Sequence, residues 1–349
     1  MINACITLKP EKQRTAVEPS GMSAEYDLKS FLFIKLVRSF VMVFVILTIG
    51  FLLINLAPGD PVEFILGGAG VYTPEFIQSV RERFGLDKPM HEKFALYVLN
   101  VMRGEFGYSY VYGLPVIEVI AQRVPPTIIL MGTQLVFVLS VGSLLGILAA
   151  SRANSKLDYL ISNISLVGIS MPIFWLGLLL IFLFSITLGL FPAQGMMSLR
   201  VSGWWETFVD LLSHLFLPTL TLFLINLGLV TRTMRTAMLE SLRSDYIVGA
   251  RAKGLPERRV LLRHAFRNSL TPLITLIGLQ LGWLLSGAVI VETVFAWPGM
   301  GRLLFTSIGS RDYPIVMGIF LIVSIAVVFS NLITELLYAY FDPRIRRAK

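Results

Sequence analysis

Six long apolar blocks constrain the fold of this 349-residue chain more than any other feature. Each block except the third is close to the roughly 20 apolar residues that one helix needs to cross the hydrocarbon core of a bilayer. Backbone groups in lipid must be hydrogen-bonded internally, so such blocks form helices. The blocks cover residues 39–57, 127–150, 159–188, 215–230, 270–291 and 315–338. The sequence therefore predicts an all-α integral membrane protein with about six transmembrane helices.

The third block is longer than one crossing requires and contains Pro172. Its length is too short for two crossings, because each needs roughly 20 residues. A proline removes one backbone donor, and neighbouring helices can satisfy the freed carbonyl. We therefore predict one kinked, tilted helix for this block.

Lysine and arginine residues are distributed unequally between the two sides that six crossings would create. Of the 30 such residues, 21 fall in the N-terminal segment, the second and fourth connecting loops and the C-terminal tail. The other nine lie on the opposite side, six of them in a first loop that is too long for its charge to set orientation. The positive-inside rule therefore predicts an inner-membrane protein with both termini in the cytoplasm.

The first connecting loop, residues 58–126, carries helix signals of its own. Thr73 can cap a helix that begins at Pro74, and a second helix is predicted from Pro89 to Arg103. We expect an external helical loop here, a cytoplasmic tail over residues 1–30, and one membrane domain over 31–349. Met22 is an alternative first residue.

The composition argues against several other classes of protein. The chain is 55% hydrophobic and 15% charged, and its formal charge of +8 is concentrated at the ends of the apolar blocks rather than on a nucleic-acid-binding face. One cysteine, Cys5, allows no disulfide within the chain, and three scattered histidines do not predict a zinc site. The sequence lacks a phosphate-binding Gly-x-x-x-x-Gly-Lys-Ser/Thr loop, and Gly67-Gly-Ala-Gly70 is interpreted as a turn. We therefore expect no cofactor in this chain and no ATP hydrolysis by it.

The fourth connecting loop, residues 232–268, is the most informative segment. Asp245 can cap a short helix, Gly254 can end that helix in the left-handed conformation, and Pro256 suits the first turn of the next helix. Small residues would allow another surface to approach the backbone closely: Gly249, Ala250 and Ala252. The pattern allows two interpretations, a basic helix that docks onto a partner or a loop that is basic only because it is cytoplasmic.

The segment from Asp245 to Pro272 resembles the cytoplasmic EAA signature loop of ABC import permeases. Gly249-Ala250-Arg251-Ala252 stands where that family has Glu-Ala-Ala, so the acidic position is not matched, whereas Gly254 matches the signature glycine. Other segments are similar to the peptide-permease branch: Pro58-Gly-Asp-Pro61, Gly85-Leu-Asp-Lys-Pro89, Glu105-Phe-Gly-Tyr-Ser109, Met171-Pro-Ile-Phe-Trp175, Glu292-Thr-Val-Phe-Ala-Trp-Pro-Gly299, Arg311-Asp-Tyr-Pro314 and Asp342-Pro-Arg344. From about Phe31 to the C-terminus, the chain is identified as a member of the dipeptide, oligopeptide and nickel permease family.

This resemblance implies the fold and the partners of a type I ABC importer permease. The implied partners are a second, similar permease, two ATPase subunits that bind ATP and Mg²⁺, and an extracytoplasmic solute-binding protein. The loop over residues 245–256 would fit a cleft on an ATPase and couple nucleotide-driven closure to the spans. The coupling residues carried over in this way are Asp245, Ala250, Ala252, Gly254 and Pro256.

Polar residues inside the apolar blocks are the remaining candidates. Gln134, Asn163, Asn226, Gln280 and Asn331 lie in apolar surroundings, and Glu335 lies near the end of the last block. Such groups either line a pathway or form hydrogen bonds between helices, and Gln280 is the best pathway candidate. Glu292 lies at the outer end of the fifth block as a possible gate. Trp297 is predicted either to anchor at the headgroup level or to act as an external gate or binding-protein contact.

Two other classes of function fit less well. A membrane-embedded enzyme such as an intramembrane protease would need a catalytic dyad within the spans, and the sequence has no such arrangement. A free-standing channel or secondary carrier would have charged residues at mid-membrane and no docking loop. The resemblance favours di- or oligopeptides as the solute, with a nickel chelate, glutathione or an oligosaccharide as alternatives.

Overall fold

The computed structural model describes residues 28–56, 73–83, 87–198 and 202–341. Within these ranges the chain is helical, apart from loops and one isolated β-bridge between Tyr108 and Pro115. One compact unit ends at Arg38, and the packing below concerns the second unit, from Ser39 onward. The helices are α1 (Leu28–Leu56), α2 (Pro74–Arg83), α3 (Met90–Met102), α4 (Val116–Ser151), α5 (Lys156–Val167), α6 (Ile173–Leu180), α7 (Trp204–Leu242), α8 (Asp245–Ala252), α9 (Leu270–Leu284), α10 (Val289–Val294), α11 (Met300–Gly309) and α12 (Tyr313–Phe341).

Three of these helices are individually long and apolar enough to cross a membrane: α4, α7 and residues 313–334 of α12. A fourth candidate is the pair formed by Lys156–Ser170 and Ile173–Thr187, and residues 40–52 and 270–284 form shorter apolar helices. Within the described residues, each predicted apolar block therefore lies mostly on helix. The helices α4 and α7 also extend well beyond their blocks, into the predicted external loop and the predicted cytoplasmic loop.

The third block differs from its prediction. The two halves are bent by 100° across a break at Met171 and Pro172, so one continuous kinked helix is wrong. Pro172 has a ψ of 131°, an extended backbone, and it precedes α6 as its N-cap. The first half ends in a 3₁₀ turn, Gly168–Ser170, and the second half continues from α6 as a π-helix, Ile181–Thr187. Pro172 therefore starts a new helix and does not merely tilt an existing one.

The fifth block is also interrupted. The helix α9 ends at Leu284, and α10 begins only at Val289. Gly287 lies between them with a φ of +72°, a left-handed backbone that glycine adopts without a steric penalty. This turn breaks the block four residues before its predicted end at 291.

The helices α4 and α7 pack side by side and run in the same direction. Leu130 and Leu217 belong to one buried cluster, Val138 and Leu227 to the next, and Ala150 and Met238 to a third. Two glycines allow the close approach: a Cβ on Gly142 would lie 2.8 Å from Val230 Cγ1, and one on Gly146 would lie 2.7 Å from the Thr231 carbonyl oxygen. Because α4 and α7 are parallel, the chain between them must return to the starting end of the bundle, through α5 and α6.

The remaining long helices alternate in direction. The helix α9 is antiparallel to α7, since Ser269 donates a hydrogen bond to the Ala237 carbonyl at 3.0 Å while Leu273 packs beside Leu227. The helix α12 is antiparallel to α9, because the Ser330 hydroxyl donates to the Gly278 carbonyl at 2.7 Å and Gly282 lies against Ser330 and Val327. Gly278 and Gly282, which flank Gln280 in the sequence, allow this close contact between α9 and α12.

The contact at Gly146 gives a first testable prediction. Gly146→Ala would place a methyl group against the α7 backbone, and we expect a loss of about 1–3 kcal/mol in stability, as for other overpacked sites. Gly132→Ala on the same helix is the control, because no atom lies within 4 Å of a Cβ there. Thermal unfolding in detergent should separate the two variants. Equal midpoints would mean that the α4–α7 contact is looser than described.

The helices of the first connecting loop lie close to where they were predicted. The Phe76 amide donates to the Thr73 hydroxyl at 3.4 Å, so Thr73 caps α2 as expected. In α3, Phe94 packs edge-to-face on Phe51 of α1, with ring centroids 5.2 Å apart, and Tyr97 stacks on Phe51 at 6.0 Å. The motifs at Pro58–Pro61, Gly67–Gly70 and Asp342–Arg344, the first two residues of the Gly85–Pro89 motif, and the tail to residue 27 lie outside the described residues.

Candidate coupling site

A short helix lies where the docking segment was predicted. The helix α8 covers Asp245–Ala252, and Asp245 is its first residue rather than its cap. Ser244 occupies the N-cap position, and its hydroxyl donates instead to the Ser241 carbonyl at the end of α7. The predicted capping role of Asp245 is thus wrong by one position, although a carboxylate in the first turn still complements the helix dipole.

The C-terminal end of α8 is a Schellman motif. Gly254 has a φ of +73°; its amide donates to the Arg251 carbonyl at 2.9 Å, and the Leu255 amide donates to the Ala250 carbonyl at 3.4 Å. Leu255 also packs with Ala250 in one apolar cluster, the contact that accompanies this motif. The left-handed end predicted at Gly254 is therefore confirmed. Pro256 is the N-cap of the next helical stretch, one residue before the predicted first turn. This stretch consists of Glu257–Arg259, the π-helix Val260–Ala265 and Phe266–Asn268.

The inner face of α8 is buried within this chain. Ile247 and Ala250 pack against Ala150 at the end of α4 and against Met234 and Met238 of α7. The cluster also contains Val260 and Ala265 of the helical stretch that follows. Ala250 therefore serves internal packing and is not open to a partner surface, unlike Gly249 and Ala252, which are exposed. A displacement of α8 would act directly on the ends of α4 and α7.

The outer face of α8 is mixed in character. Tyr246 and Val248 are exposed apolar side chains beside the small Gly249 and Ala252. Arg251 pairs with Glu257 of the following stretch at 2.6 Å, with both side chains about half exposed. The hydrogen bond from Arg251 holds the pKa of the Glu257 carboxyl below its ordinary value. The face thus offers apolar contact area and an arginine that is already oriented.

A second site centres on Glu292, which is fully buried. Its carboxylate accepts from the Thr127 hydroxyl of α4 at 3.1 Å, the Arg302 amide at 2.8 Å and the Ala288 amide at 3.4 Å. The Arg302 amide belongs to the first turn of α11, where backbone N–H groups are otherwise unpaired. Glu292 therefore joins α4, α10 and α11, and its carboxylate is not exposed at an external gate.

Trp297 belongs to the same buried site as Glu292. It is 0% exposed, and its indole N–H donates to the Pro126 carbonyl of α4 at 2.9 Å. Anchoring at the headgroup level is thus wrong for this residue, and the side chain is not available to a binding protein. It packs with Phe295 and Leu176, which brings the Glu292–Gly299 motif against the Met171–Trp175 region.

Two other sequence motifs also meet. Asp312 is fully buried and accepts from the Ser109 hydroxyl and from the Tyr110 amide at 3.2 Å, joining the Glu105–Ser109 and Arg311–Pro314 segments. Burial and the nearby Asp312 charge raise the pKa of Tyr110 to about 12. Both motifs were identified in the sequence analysis, but no pattern there indicated that the two are in contact.

Gln280 meets a second carboxamide. Its Nε2 lies 3.5 Å from Oδ1 of Asn226 on α7, and both side chains are partly buried. The Asn226 Nδ2 also donates to the Leu222 carbonyl at 2.8 Å. This contact joins α7 and α9 by the interhelical pairing that was one of the two interpretations.

Comparison with known proteins shows which family this chain resembles. Residues 142–347 match the family model described as the binding-protein-dependent transport system inner membrane component, and residues 28–131 match the N-terminal model of such membrane components. The dipeptide transport system permease protein DppB of Escherichia coli K12 is 39% identical over 317 residues, covering 86% of this chain and 93% of the relative. The probable D,D-dipeptide permease protein DdpB of the same strain is 42% identical over 315 residues, covering 86% and 92%.

A further relative and a solved structure agree. The oligopeptide transport system permease protein AppB of Bacillus subtilis 168 is 39% identical over 302 residues, covering 85% of this chain and 93% of the relative. A chain of the MetNI methionine ABC transporter, solved in inward-facing conformations, aligns with a TM-score of 0.51 and 17% identity, covering 64% of this chain and 97% of that chain. At that identity the likeness concerns the fold alone. The chain is a member of the family of inner-membrane permease components of binding-protein-dependent ABC transport systems.

Proposed function

We propose that this chain is a permease subunit of an ATP-driven importer of di- or oligopeptides. The observation that carries the proposal is the 39–42% identity, over most of both chains, to permeases named for dipeptide, D,D-dipeptide and oligopeptide transport. The pathway is formed together with a second, similar permease. Two cytosolic ATPase subunits bind ATP and Mg²⁺, and an extracytoplasmic binding protein delivers the solute.

The proposed topology has six crossings, made by α1, α4, the bent pair α5–α6, α7, the pair α9–α10 and α12. The parallel packing of α4 and α7 supports counting the bent pair as one broken crossing rather than a re-entrant loop, because the chain must change sides between them. The antiparallel packing of α9 with α7 and with α12 supports the next two crossings. With 21 of the 30 basic residues on one side, both termini and the α8 segment are assigned to the cytosol.

Cysteine labelling tests this topology in a chain whose native Cys5 is replaced by serine. The two labelling variants are Met197→Cys, at a position before α7, and Val248→Cys, on the outer face of α8. Both native side chains are exposed. A membrane-impermeant maleimide applied to intact cells should modify position 197 and spare position 248 until the cells are lysed. Labelling of 248 without 197 would invert the topology.

ATP hydrolysis by the ATPase subunits is proposed to act on this chain through α8 and the loop over residues 245–256. The exposed residues Tyr246, Val248 and Arg251 form the surface toward an ATPase, while Ile247 and Ala250 pass its displacement to α4 and α7. Gly254 and Pro256 fix where the helix ends and where the chain turns back toward the membrane. Asp245 and Ala252 are exposed at the two ends of the helix, where an ATPase cleft would reach them.

The pathway is proposed to pass the Asn226–Gln280 pair. Carboxamides both donate and accept hydrogen bonds, as peptide groups do, so the pair can exchange its own contact for contacts with a peptide backbone. Glu292 and Trp297 would influence the outer end of the pathway only through the packing of α10 and α11.

Solute competition tests the substrate class. In cells that lack other peptide importers, uptake of a radiolabelled dipeptide should depend on this chain and be reduced by excess unlabelled di- or tripeptide. A nickel chelate, glutathione and an oligosaccharide are the comparison solutes. Loss of nickel or oligosaccharide uptake on deletion of the chain, with peptide uptake unchanged, would assign the alternative solute.

A further inference from the structure

A cavity of about 230 Å³ lies between α5 and the C-terminal half of α7. Charged, hydroxyl and apolar side chains line it, among them Asp158, Ser162, Leu166, Thr231, Arg232 and Arg235. The proposed coupling helix and the proposed pathway pair do not contribute to this lining. The cavity therefore requires an explanation of its own.

The one carboxylate in the lining is already neutralised. Asp158 is almost fully buried and accepts two hydrogen bonds from Arg235, from Nε at 2.6 Å and from Nη2 at 2.7 Å. The Asn154 amide donates to the same carboxylate at 2.9 Å. Arg232, one turn earlier on α7, is exposed at the cavity, and no carboxylate in the described part of the chain pairs with it. The lining therefore has a net positive charge.

One buried hydroxyl in the lining has no hydrogen-bond partner among the described residues. This hydroxyl is Oγ1 of Thr231, a residue that is 1% exposed. Burying a hydroxyl without a partner is unfavourable, and buried polar groups in proteins are nearly always paired. An acceptor inside the cavity would supply the missing partner. The unpaired hydroxyl and the free arginine are independent indications of an anionic, oxygen-rich ligand.

We propose that this cavity binds the phosphodiester headgroup of an anionic phospholipid. Guanidinium groups suit phosphate because they donate in a planar fork, and basic pockets between helices at the cytosolic end are known to hold acidic headgroups. The surface of α5 next to the cavity is exposed and apolar, with Leu160, Ile164 and Val167, and it can carry the acyl chains. Assigning the lipid to the cytosolic leaflet rests on the proposed topology, whereas the binding chemistry does not.

Native mass spectrometry of the full-length chain in neutral detergent tests this assignment. Phosphatidylglycerol is titrated against phosphatidylcholine, with inorganic phosphate as a soluble competitor. We expect retention of phosphatidylglycerol over phosphatidylcholine. Arg232→Gln should weaken phosphatidylglycerol binding about fivefold, the contribution of one arginine near an anionic surface. Arg258→Gln, an exposed arginine outside the cavity, is the control and should bind as the wild type does.

Thr231→Val separates a binding role from a structural one. Valine keeps the shape and removes a hydroxyl that has no partner in the protein, so the lipid-free midpoint of unfolding should not fall, while phosphatidylglycerol binding weakens. Three results would overturn the proposal: equal retention of both lipids, displacement of phosphatidylglycerol by inorganic phosphate, or unchanged binding in Arg232→Gln. Weaker assembly of Arg232→Gln with the second permease, with unchanged lipid binding, would make the cavity a subunit contact. Peptide uptake is measured separately, so failure here leaves the proposed function untouched.

Discussion

Gly254→Val is expected to insert and accumulate normally and to lose most ATP-driven transport. The φ of +73° at this residue places a side chain in the left-handed region, where it costs about 1–2 kcal/mol. No atom lies within 4 Å of a Cβ at this position, so the strain is in the backbone and not in a collision. A loss of that size disfavours the native end of α8 by about 5–30-fold. Transport and transport-coupled ATP hydrolysis should fall together, by up to that factor.

Three further variants show whether this loss belongs to the coupling helix. Gly104 lies in the loop after α3, with a φ of +79° and no atom within 4 Å of a Cβ. Gly104→Val therefore imposes the same backbone strain away from α8, and transport by this variant should remain coupled to ATP hydrolysis. Gly254→Asn should recover most transport, because asparagine tolerates the left-handed region. Arg251→Ala removes the pair with Glu257 and keeps the turn, so its loss should be milder. Wild-type transport by Gly254→Val would reduce α8 to a topological anchor.

Glu292→Leu is expected to prevent stable folding. The substitution removes the acceptor of the buried Thr127 hydroxyl and of the partly buried amides of Ala288 and Arg302. Each unsatisfied buried donor costs about 1–3 kcal/mol, so the sum approaches the whole stability of an ordinary domain. The amount of folded protein extracted from the membrane should fall sharply, and the remainder should unfold at a much lower temperature.

Two further variants test whether the loss of stability comes from the carboxylate of Glu292. Glu292→Gln keeps one acceptor oxygen and places an amide donor beside backbone donors, so it should be intermediate. Glu118→Leu changes an exposed glutamate at the same end of α4 and should leave the unfolding midpoint close to wild type. If Glu292→Leu unfolds at the wild-type temperature, the carboxylate does not join α4, α10 and α11 as described.

The sequence predicted the features that depend on local patterns. Apolar blocks marked the helices, Thr73 marked the start of α2, and Gly254 marked a left-handed helix end. The errors have local causes as well: Pro172 does not by itself distinguish a kink from a 100° break, and Ser244 competes with Asp245 as a cap. Trp297 was misplaced because an aromatic residue at the end of a span suits both the headgroup level and a buried contact.

Contacts between distant segments left no signal in a single sequence. Thr127 and Glu292 are 165 positions apart, Ser109 and Asp312 are 203 apart, and Asp158 and Arg235 are 77 apart. Helical periodicity reports which face of one helix is apolar and not which helix it meets. One missed contact did have a signal, because Gly142 and Gly146 have the small-xxx-small spacing typical of close helix pairs. Their partner on α7 still required the structure.

The central claim is that this chain imports peptides only when cytosolic ATPases act on it through α8. Reconstitution into proteoliposomes with the second permease, both ATPases and the binding protein tests it most directly, with uptake of a radiolabelled dipeptide as the readout. We predict uptake that requires ATP and every subunit, and that falls by up to about 5–30-fold in Gly254→Val while Gly104→Val retains it. Peptide uptake without the ATPases, or equal uptake by both glycine variants, would contradict the account.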